Sequence, residues 1–326
     1  MPPGGFLVMV KVPFRNGTCH SLQVPTMPHS PATPRRRRWL PLLLLALFIG
    51  VGLPYGCSQL ARKERELIFN IEPGTAGWFS GIPSGLQELD IPLDKALSGD
   101  QYVHAWWWPA QRKDAPALLY LHGTRWNLTA QLRRITNLHD MGFSVLAIDY
   151  RGFGQSPGDL PSERSVYQDA QAAWQRLVQL QPDAGKRMIY GHSLGGAIAI
   201  DLAERIGKRD APPAAGLIIE STFTDMGAAA QAVINTSLPV RWILSEKFDS
   251  IDKIADIGMP VLIVHGTEDQ YVPPRFSEEL FKAAVDPKRL LLIPGGNHNN
   301  SMVLGNRQYA EAIRQMFKVH ADIDAG

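Results

Sequence analysis

The chain has 326 residues, of which 45% are hydrophobic and 9% aromatic, enough to bury one large core or two modest ones. Its 33 lysines and arginines nearly balance 31 aspartates and glutamates, giving a net charge of +2, and the one strong basic run precedes the globular part, so nucleic acid is not an expected partner. The two cysteines, Cys19 and Cys57, also precede that part, so the predicted domain holds no thiol or disulfide and suits either redox compartment.

The N-terminal stretch predicts an extension and a targeting segment. Residues 1–34 are rich in proline and polar side chains without a sustained period, which indicates disorder or an over-extended gene model. Residues 35–58 begin with Arg35-Arg36-Arg37-Arg38 and continue as an apolar run from Trp39 to Gly56. As a helix this run would reach about 27 Å, close to a hydrocarbon core of about 30 Å.

Three fates of this apolar run compete. A retained single-pass signal-anchor is favoured, because Leu42–Ile49 is strongly apolar and no clean small-x-small cleavage site follows. A lipoprotein signal would make Cys57 the lipidated residue, although Pro54 and Tyr55 fit such a box poorly, and a cleaved signal peptide would release a soluble protein. In each case the arginines hold the N-terminus in the cytoplasm. We therefore expect a membrane-anchored chain whose domain lies on the extracytoplasmic side, the periplasm in a bacterium.

The remainder divides into an expected tether, residues 59–85, and a large domain, residues 86–326. The domain opens with two extended runs, Leu89–Leu93 and Tyr102–Trp108, that are consistent with a hairpin. In the second run, alternation places His104, Trp106 and Trp108 on one face. Packing of the tryptophans under a helix is favoured there over the lining of an acyl pocket.

Strands and helices then alternate along the chain. Strand-like runs occur at Ala117–Leu121, Phe143–Ile148, Met188–Tyr190, Leu217–Ile219, Val261–Val264 and Leu290–Ile293. Helical patterns occur at Leu128–Met141, Glu163–Leu180, Leu194–Ile206, Asp225–Ile234, Pro274–Ala284 and Arg307–Val319. Short apolar runs separated by helices predict an α/β fold with a mainly parallel sheet covered on both faces.

Ser193 stands at the turn between a strand-like run and a helical pattern. In Gly191-His192-Ser193-Leu194-Gly195, glycines lie two positions away on either side of the serine, where side chains would collide with the strand or the helix. Such a turn lifts the serine hydroxyl above the sheet and aims the Leu194 amide at the same space, which predicts a nucleophile with an oxyanion donor. Taken alone, the motif also fits a glycine-rich helix start without chemistry.

An acid and a histidine follow Ser193 at the ends of two later strands, where the chemistry of such sheets collects. Asp269 follows Val261–Val264, and His298 follows Leu290–Ile293. His298 is the predicted base that takes the Ser193 proton, and Asp269 is the predicted acid that fixes the imidazole tautomer. The competing candidates are Glu268, Asp249 and Asp252 for the acid, and His122, His192 and His265 for the base.

The loop after Ala117–Leu121 carries the second predicted oxyanion donor. The backbone NH of Thr124 is expected to pair with that of Leu194, and the neighbouring glycine lets this loop approach the substrate closely. Arg125 and Trp126 are predicted to bind substrate at the pocket rim, although a solvated arginine is the commoner outcome. No metal site and no cofactor is predicted.

Together these motifs resemble the α/β-hydrolase superfamily, and most closely its single-pass or lipid-anchored serine hydrolases, which include lysophospholipases, protein depalmitoylases and bacterial relatives. The resemblance covers roughly Glu66 to Val319 and implies the α/β-hydrolase fold, with residues 86–326 as the catalytic domain. The short segment between Glu220 and Val261 implies a minimal cap. Where the group often has Asn-Ala-Gly-Asn, this chain has Thr124-Arg125-Trp126-Asn127, so a differently shaped oxyanion loop is expected. The motifs that carry the resemblance are His122-Gly123, Asp149-Tyr150-Arg151-Gly152-Phe153-Gly154-x-Ser156, Gly191-His192-Ser193-Leu194-Gly195-Gly196, His265-Gly266-Thr267-x-Asp269 and Gly296-x-His298-Asn299.

The resemblance and the residues favour a metal-independent serine hydrolase that cleaves a carboxylic ester or thioester, of a small molecule or a lipid, through an acyl-enzyme. A peptidase or amidase of the prolyl-oligopeptidase type is a second hypothesis, which the missing propeller or large cap opposes. A third hypothesis, from another class, is a membrane-tethered acyltransferase or a non-catalytic binding protein. The intact set of Ser193, Asp269 and His298 opposes the non-catalytic version.

Overall fold

An eight-stranded sheet organises the molecule. The computed structural model describes residues 40–95, 101–208, 214–234 and 240–318. The strands are β1 Gln87–Pro92, β2 Tyr102–Trp108, β3 Ala117–Leu121, β4 Ser144–Ile148, β5 Arg187–His192, β6 Gly216–Glu220, β7 Val261–Gly266 and β8 Lys288–Ile293. Each overlaps one of the eight runs expected to form strands. Short apolar runs such as that of β3 suit a strand covered on both faces.

The strands lie in the order β1-β2-β4-β3-β5-β6-β7-β8. Strand β2 runs antiparallel to both β1 and β4, whereas all other neighbours are parallel. The parallel register sets His192 opposite Glu220 and Gly266 opposite Ile293. The carboxyl ends of β5, β6, β7 and β8 therefore meet at one edge of the sheet, where the predicted site residues follow. The mainly parallel sheet is confirmed.

Helices cover both faces of this sheet, as predicted. The α-helices of the described residues are α1 Leu40–Leu47, α2 Leu53–Phe69, α3 Leu128–Asp140, α4 Glu163–Leu180, α5 Leu194–Gly207, α6 Met226–Ile234, α7 Arg275–Ala283, α8 Ser301–Leu304 and α9 Asn306–Phe317, of which α3, α4, α5, α7 and α9 pack on the sheet. Apolar side chains of α4, α5 and α7 join one buried cluster, and those of α3 and α9 join another. Trp106 and Trp108 belong to the second cluster, and Trp108 stacks on His139 of α3 with 3.9 Å between ring centroids, so packing under a helix is confirmed.

The N-terminal part contains two α-helices joined by a π-helical turn, Phe48–Gly52. In the portions of the chain that the structure describes, no helix combines the length and the apolar character needed to cross a membrane. The expected extension, residues 1–34, lies outside the described residues. The fate of residues 35–58 stays a prediction.

Residues 59–85, which we expected to form a tether, start inside α2 and pack in part on the domain. Phe69 at the end of α2 is fully buried and meets Phe153 and Phe248 edge-on, at centroid distances of 6.4 and 6.3 Å. The Glu64 carboxylate accepts hydrogen bonds from the amides of Ser245 and Glu246. The C-terminal half of α2 thus packs on the domain, next to the short segment between β6 and β7.

Candidate active site

Ser193 occupies the sharp turn between β5 and α5, with φ at 56° and ψ at −124°. This backbone conformation is rare for a residue with a side chain and costs about 1–3 kcal/mol, so the surroundings must hold it. The Ser193 amide donates to the Glu220 carbonyl at 2.9 Å, and the Thr222 hydroxyl donates to the Ser193 carbonyl at 2.8 Å. A Cβ atom on Gly191 would lie 2.2 Å from the Gly195 carbonyl oxygen, which explains why glycine is needed there.

The structure brings Ser193, His298 and Asp269 together, although 105 residues separate the serine from the histidine. His298 Nε2 lies 3.0 Å from Ser193 Oγ, and His298 Nδ1 lies 2.8 Å from Asp269 Oδ2. With Nδ1 donating to the carboxylate, Nε2 is left to accept the serine proton. This arrangement has the geometry of a nucleophile, a base and an orienting acid.

Asp269 is buried and surrounded by donors. Its Oδ1 accepts the amide hydrogens of Tyr271 and Val272, at 3.0 and 2.9 Å. Burial alone would raise the pKa of Asp269, but hydrogen bonds from His265 and His298 outweigh it and hold that pKa well below its ordinary value. The carboxyl group is therefore an anion at neutral pH. Of the other acid candidates, Asp249 and Asp252 lie beside Arg241, at 2.9 and 3.5 Å from Nη2.

His265, a competing candidate for the base, lies beside the acid Asp269 instead. Its ring lies at the end of β7, fully buried, with Nδ1 2.6 Å from Ser277 Oγ and Nε2 2.8 Å from the Val272 carbonyl oxygen. The same Nε2 lies 3.4 Å from Asp269 Oδ2. Nε2 is therefore placed to donate to the Val272 carbonyl, and Nδ1 lies within hydrogen-bond distance of the Ser277 hydroxyl.

His192 has a contact that the sequence did not predict. Its Nε2 donates to the backbone carbonyl of His298 at 2.9 Å. The two imidazole rings lie 4.9 Å apart. Burial, followed by the charge of Arg134, lowers the pKa of His192 well below its ordinary value, so the ring is neutral. His192 is thus placed to fix the loop that carries His298.

The loop after β3 passes close to Ser193. A Cβ atom on Gly123 would lie 3.0 Å from the Ser193 Cβ, which leaves no room for a side chain. Among the described residues, neither the Thr124 nor the Leu194 amide donates to another backbone group. Two unused donors beside a serine hydroxyl are what an oxyanion hole requires, so both amides keep their predicted role as candidates.

The two residues predicted to bind substrate, Arg125 and Trp126, have protein partners. Arg125 Nη2 lies 3.3 Å from Glu72 Oε1, with both side chains partly exposed. The ring of Trp126 packs edge-on against Trp78 at 5.3 Å. Their role in substrate binding stays a prediction, since the described contacts are all internal.

A buried polar network lies next to the turn that carries Ser193. Arg134 Nη1 lies 2.7 Å from both carboxylate oxygens of Glu220, which also accepts from the hydroxyls of Tyr190 and Tyr309. Burial would lower the pKa of Arg134, yet the Glu220 carboxylate raises it well above the ordinary value, so the guanidinium stays charged. Further hydrogen bonds offset part of the cost of burying an ion pair, and here both tyrosine hydroxyls donate to Oε2, whereas Oε1 has the ion pair with Arg134 alone. Within the described residues, no group of three or more histidine, cysteine, aspartate or glutamate side chains could hold a metal ion.

Comparisons with known proteins agree with this architecture. A family model described as serine aminopeptidase, S33, matches residues 113–252. An uncharacterized protein of Mycobacterium tuberculosis is 33% identical over 285 residues, which span 86% of this chain and 95% of that protein. A Danio rerio protein named lysophosphatidylserine lipase ABHD12 is 33% identical over 213 residues, spanning 56% of this chain and 54% of that protein.

Among solved structures, an esterase from Pyrococcus furiosus superposes with a TM-score of 0.58 over 76% of this chain and 99% of that one. The two chains are 16% identical, so this likeness concerns the fold.

Proposed function

The chain belongs to the α/β-hydrolase superfamily, and on that premise we propose that it is a serine hydrolase that cleaves carboxylic esters or thioesters through an acyl-enzyme. The observation that carries the proposal is the continuous line of hydrogen bonds from Ser193 Oγ through His298 to Asp269, with distances of 3.0 and 2.8 Å. Both distances are short enough for a proton to pass from Ser193 Oγ to His298 while Asp269 orients the imidazole ring.

Acylation would begin with attack of Ser193 Oγ on the substrate carbonyl carbon while its proton moves to His298 Nε2. The carbonyl oxygen becomes an oxyanion that accepts hydrogen bonds from the Leu194 and Thr124 amides. Collapse of this intermediate breaks the bond to the alcohol or thiol, which leaves with the proton from His298. Asp269 stabilises the imidazolium throughout and does not itself take the proton.

Deacylation repeats these steps with water. His298 takes a proton from water, whose oxygen attacks the acyl carbon, and the proton then passes to Ser193 Oγ as the acid is released. An alcohol acceptor in place of water would make the same site an acyltransferase. Adding acceptor alcohols and analysing the products separates the two outcomes.

Lipid esters are the substrate class that the name of the Danio rerio relative supports. A second candidate activity is cleavage of an amide, which the description of the matching family model favours. The two differ in leaving group, because an amine must be protonated as it departs. Turnover of peptide amides without turnover of esters would favour the second candidate.

The test is hydrolysis of p-nitrophenyl esters from acetate to palmitate by the full chain and by Ser193→Ala, with Ser84→Ala as a control at an exposed serine. We expect Ser193→Ala to lose about three or more orders of magnitude in kcat and the control to lose nothing measurable. A fluorophosphonate should label the wild type at Ser193 only. Equal activity of wild type and Ser193→Ala, or no labelling of folded protein, would exclude the proposed mechanism.

A further inference from the structure

The loop that carries Thr124 is held from outside by residues 69–78, which follow helix α2 and are called the strap here. At its start, the Phe69 carbonyl accepts the Arg125 amide hydrogen at 3.0 Å. Three residues later, the Glu72 amide donates to the Arg125 carbonyl at 2.6 Å. The strap therefore bonds to both backbone polar groups of the residue that follows Thr124.

Two side chains continue this contact. Asn127 Nδ2 donates to the Gly74 carbonyl at 2.7 Å, and the Thr129 hydroxyl accepts the Ala76 amide hydrogen at 3.0 Å. Asn127 is 3% exposed, so its amide group is committed to these internal partners. Its other side-chain atom, Oδ1, accepts the Thr129 amide hydrogen and caps the first turn of α3.

The held residue has a strained backbone. Arg125 has φ at 78°, in the left-handed region that residues with side chains seldom adopt. Such a conformation persists only where the surrounding structure determines it. Because both hydrogen bonds of the Arg125 backbone come from the strap, the strap is what determines the conformation of this residue.

We propose that the strap is a positioning element for catalysis, which holds the Thr124 amide in the direction that an oxyanion requires. The inference rests on the proposed function, since an oxyanion hole matters only to acyl transfer. Residues 69–78 would then contribute to catalysis without contacting the substrate.

The test loosens the strap while the fold is kept. In Asn127→Asp, one carboxylate oxygen still caps α3, but the other faces the Gly74 carbonyl where an amide hydrogen was donated. Thr129→Val keeps the side-chain shape and removes the acceptor for the strap amide. Asn306→Asp, at the first residue of α9, adds the same charge outside the strap and serves as the matched control.

We expect Asn127→Asp and Thr129→Val to lower kcat for a p-nitrophenyl ester by about ten- to a hundredfold while KM changes by less than about threefold, as weakening one oxyanion donor predicts. The affinity of a trifluoromethyl ketone, whose adduct carries an oxyanion, should fall by the same factor. Amide hydrogen exchange in residues 122–128 should become faster, and Asn306→Asp should behave as wild type. A purely structural role would lower the melting temperature and leave the kcat-to-KM split and the inhibitor affinity unchanged.

Two results would overturn the inference: unchanged exchange in residues 122–128 of both variants, or faster exchange with wild-type kcat and inhibitor affinity. If Asn127→Asp does not fold, Thr129→Val alone decides between them. An inactive wild type that fluorophosphonate does not label would refute the proposed function instead. Hydrogen exchange would still show whether the strap holds the loop.

Discussion

His192 is placed to hold the proposed base, and replacing it should slow the reaction more than it destabilises the fold. His192→Phe keeps a ring of similar size in the buried site but removes the Nε2 hydrogen that the His298 carbonyl accepts at 2.9 Å. His192→Gln is the matched variant, because the amide nitrogen of glutamine reaches about as far from the backbone as Nε2 does and can donate the same hydrogen bond.

The size of the effect follows from the lost hydrogen bond. A carbonyl left without its donor costs about 1–3 kcal/mol, which the loop carrying His298 can avoid only by moving toward another donor. A displacement of about 1 Å at a reacting group costs about a hundredfold in rate. We therefore expect His192→Phe to lower kcat by about ten- to a hundredfold, or about 1.4–2.7 kcal/mol in activation free energy, and His192→Gln to stay within about threefold of wild type.

The assay is steady-state hydrolysis of a p-nitrophenyl ester, with kcat normalised to the fraction of protein that fluorophosphonate labels. Thermal unfolding measured on the same samples separates misplacement of the base from loss of fold. Wild-type kcat in His192→Phe, with only a lower melting temperature, would refute the reasoning. Equal losses in the phenylalanine and glutamine variants would mean that the ring, and not its hydrogen bond, is what matters.

Two further predictions concern ionisable groups. Asp269→Asn should lower kcat by about four orders of magnitude with little change in KM, because the amide would donate to His298 Nδ1 and stabilise the wrong tautomer; activity near wild type would remove Asp269 from its proposed role. Burial lowers the pKa of His122 to about 4 and raises that of Asp149 to about 7. Between about pH 4 and 6.5 the unfolded state binds more protons at His122 and fewer at Asp149, so stability rises with pH through the first group and falls through the second. Asp149→Asn removes the second contribution, so the slope of stability against pH in urea unfolding should be more positive than in wild type by about 1.4 kcal/mol per pH unit over that window, and a variant with the pH dependence of wild type would contradict this.

The fold could be predicted because its signals are local and repeated. Helix α4 was expected at Glu163–Leu180 and has those ends, since its 3.6-residue pattern is long and Ser162 caps its first turn. Residues 59–85 were the exception. The charged run from Arg62 to Glu66 is typical of a solvent-exposed segment. Phe69 is buried by residues that lie far away in the sequence, so the sequence around it does not predict that it packs on the domain.

The site residues could be predicted because a strand-to-helix turn and the order serine, acid, histidine can be recognised in the sequence. The contacts that hold these residues in place could not be predicted from the sequence. Arg134 and Glu220 are separated by 86 residues, and no local pattern marks either residue as a partner of the other. The hydrogen bond of His192 could not be predicted for the same reason, because its acceptor is a backbone carbonyl 106 residues away.

The buried ion pair gains a rationale from its position. Glu220 accepts the Ser193 amide hydrogen through its backbone and holds Arg134 through its carboxylate, so one residue ties the nucleophile to a fixed positive charge. That charge, together with burial, keeps His192 neutral. A neutral His192 can donate to the His298 backbone without placing a second positive charge 4.9 Å from the ring that would become an imidazolium in the proposed acylation. In that mechanism Asp269 would stabilise the charge on His298 and His192 would add no charge to oppose it, so the buried ion pair would contribute to catalysis by keeping His192 neutral.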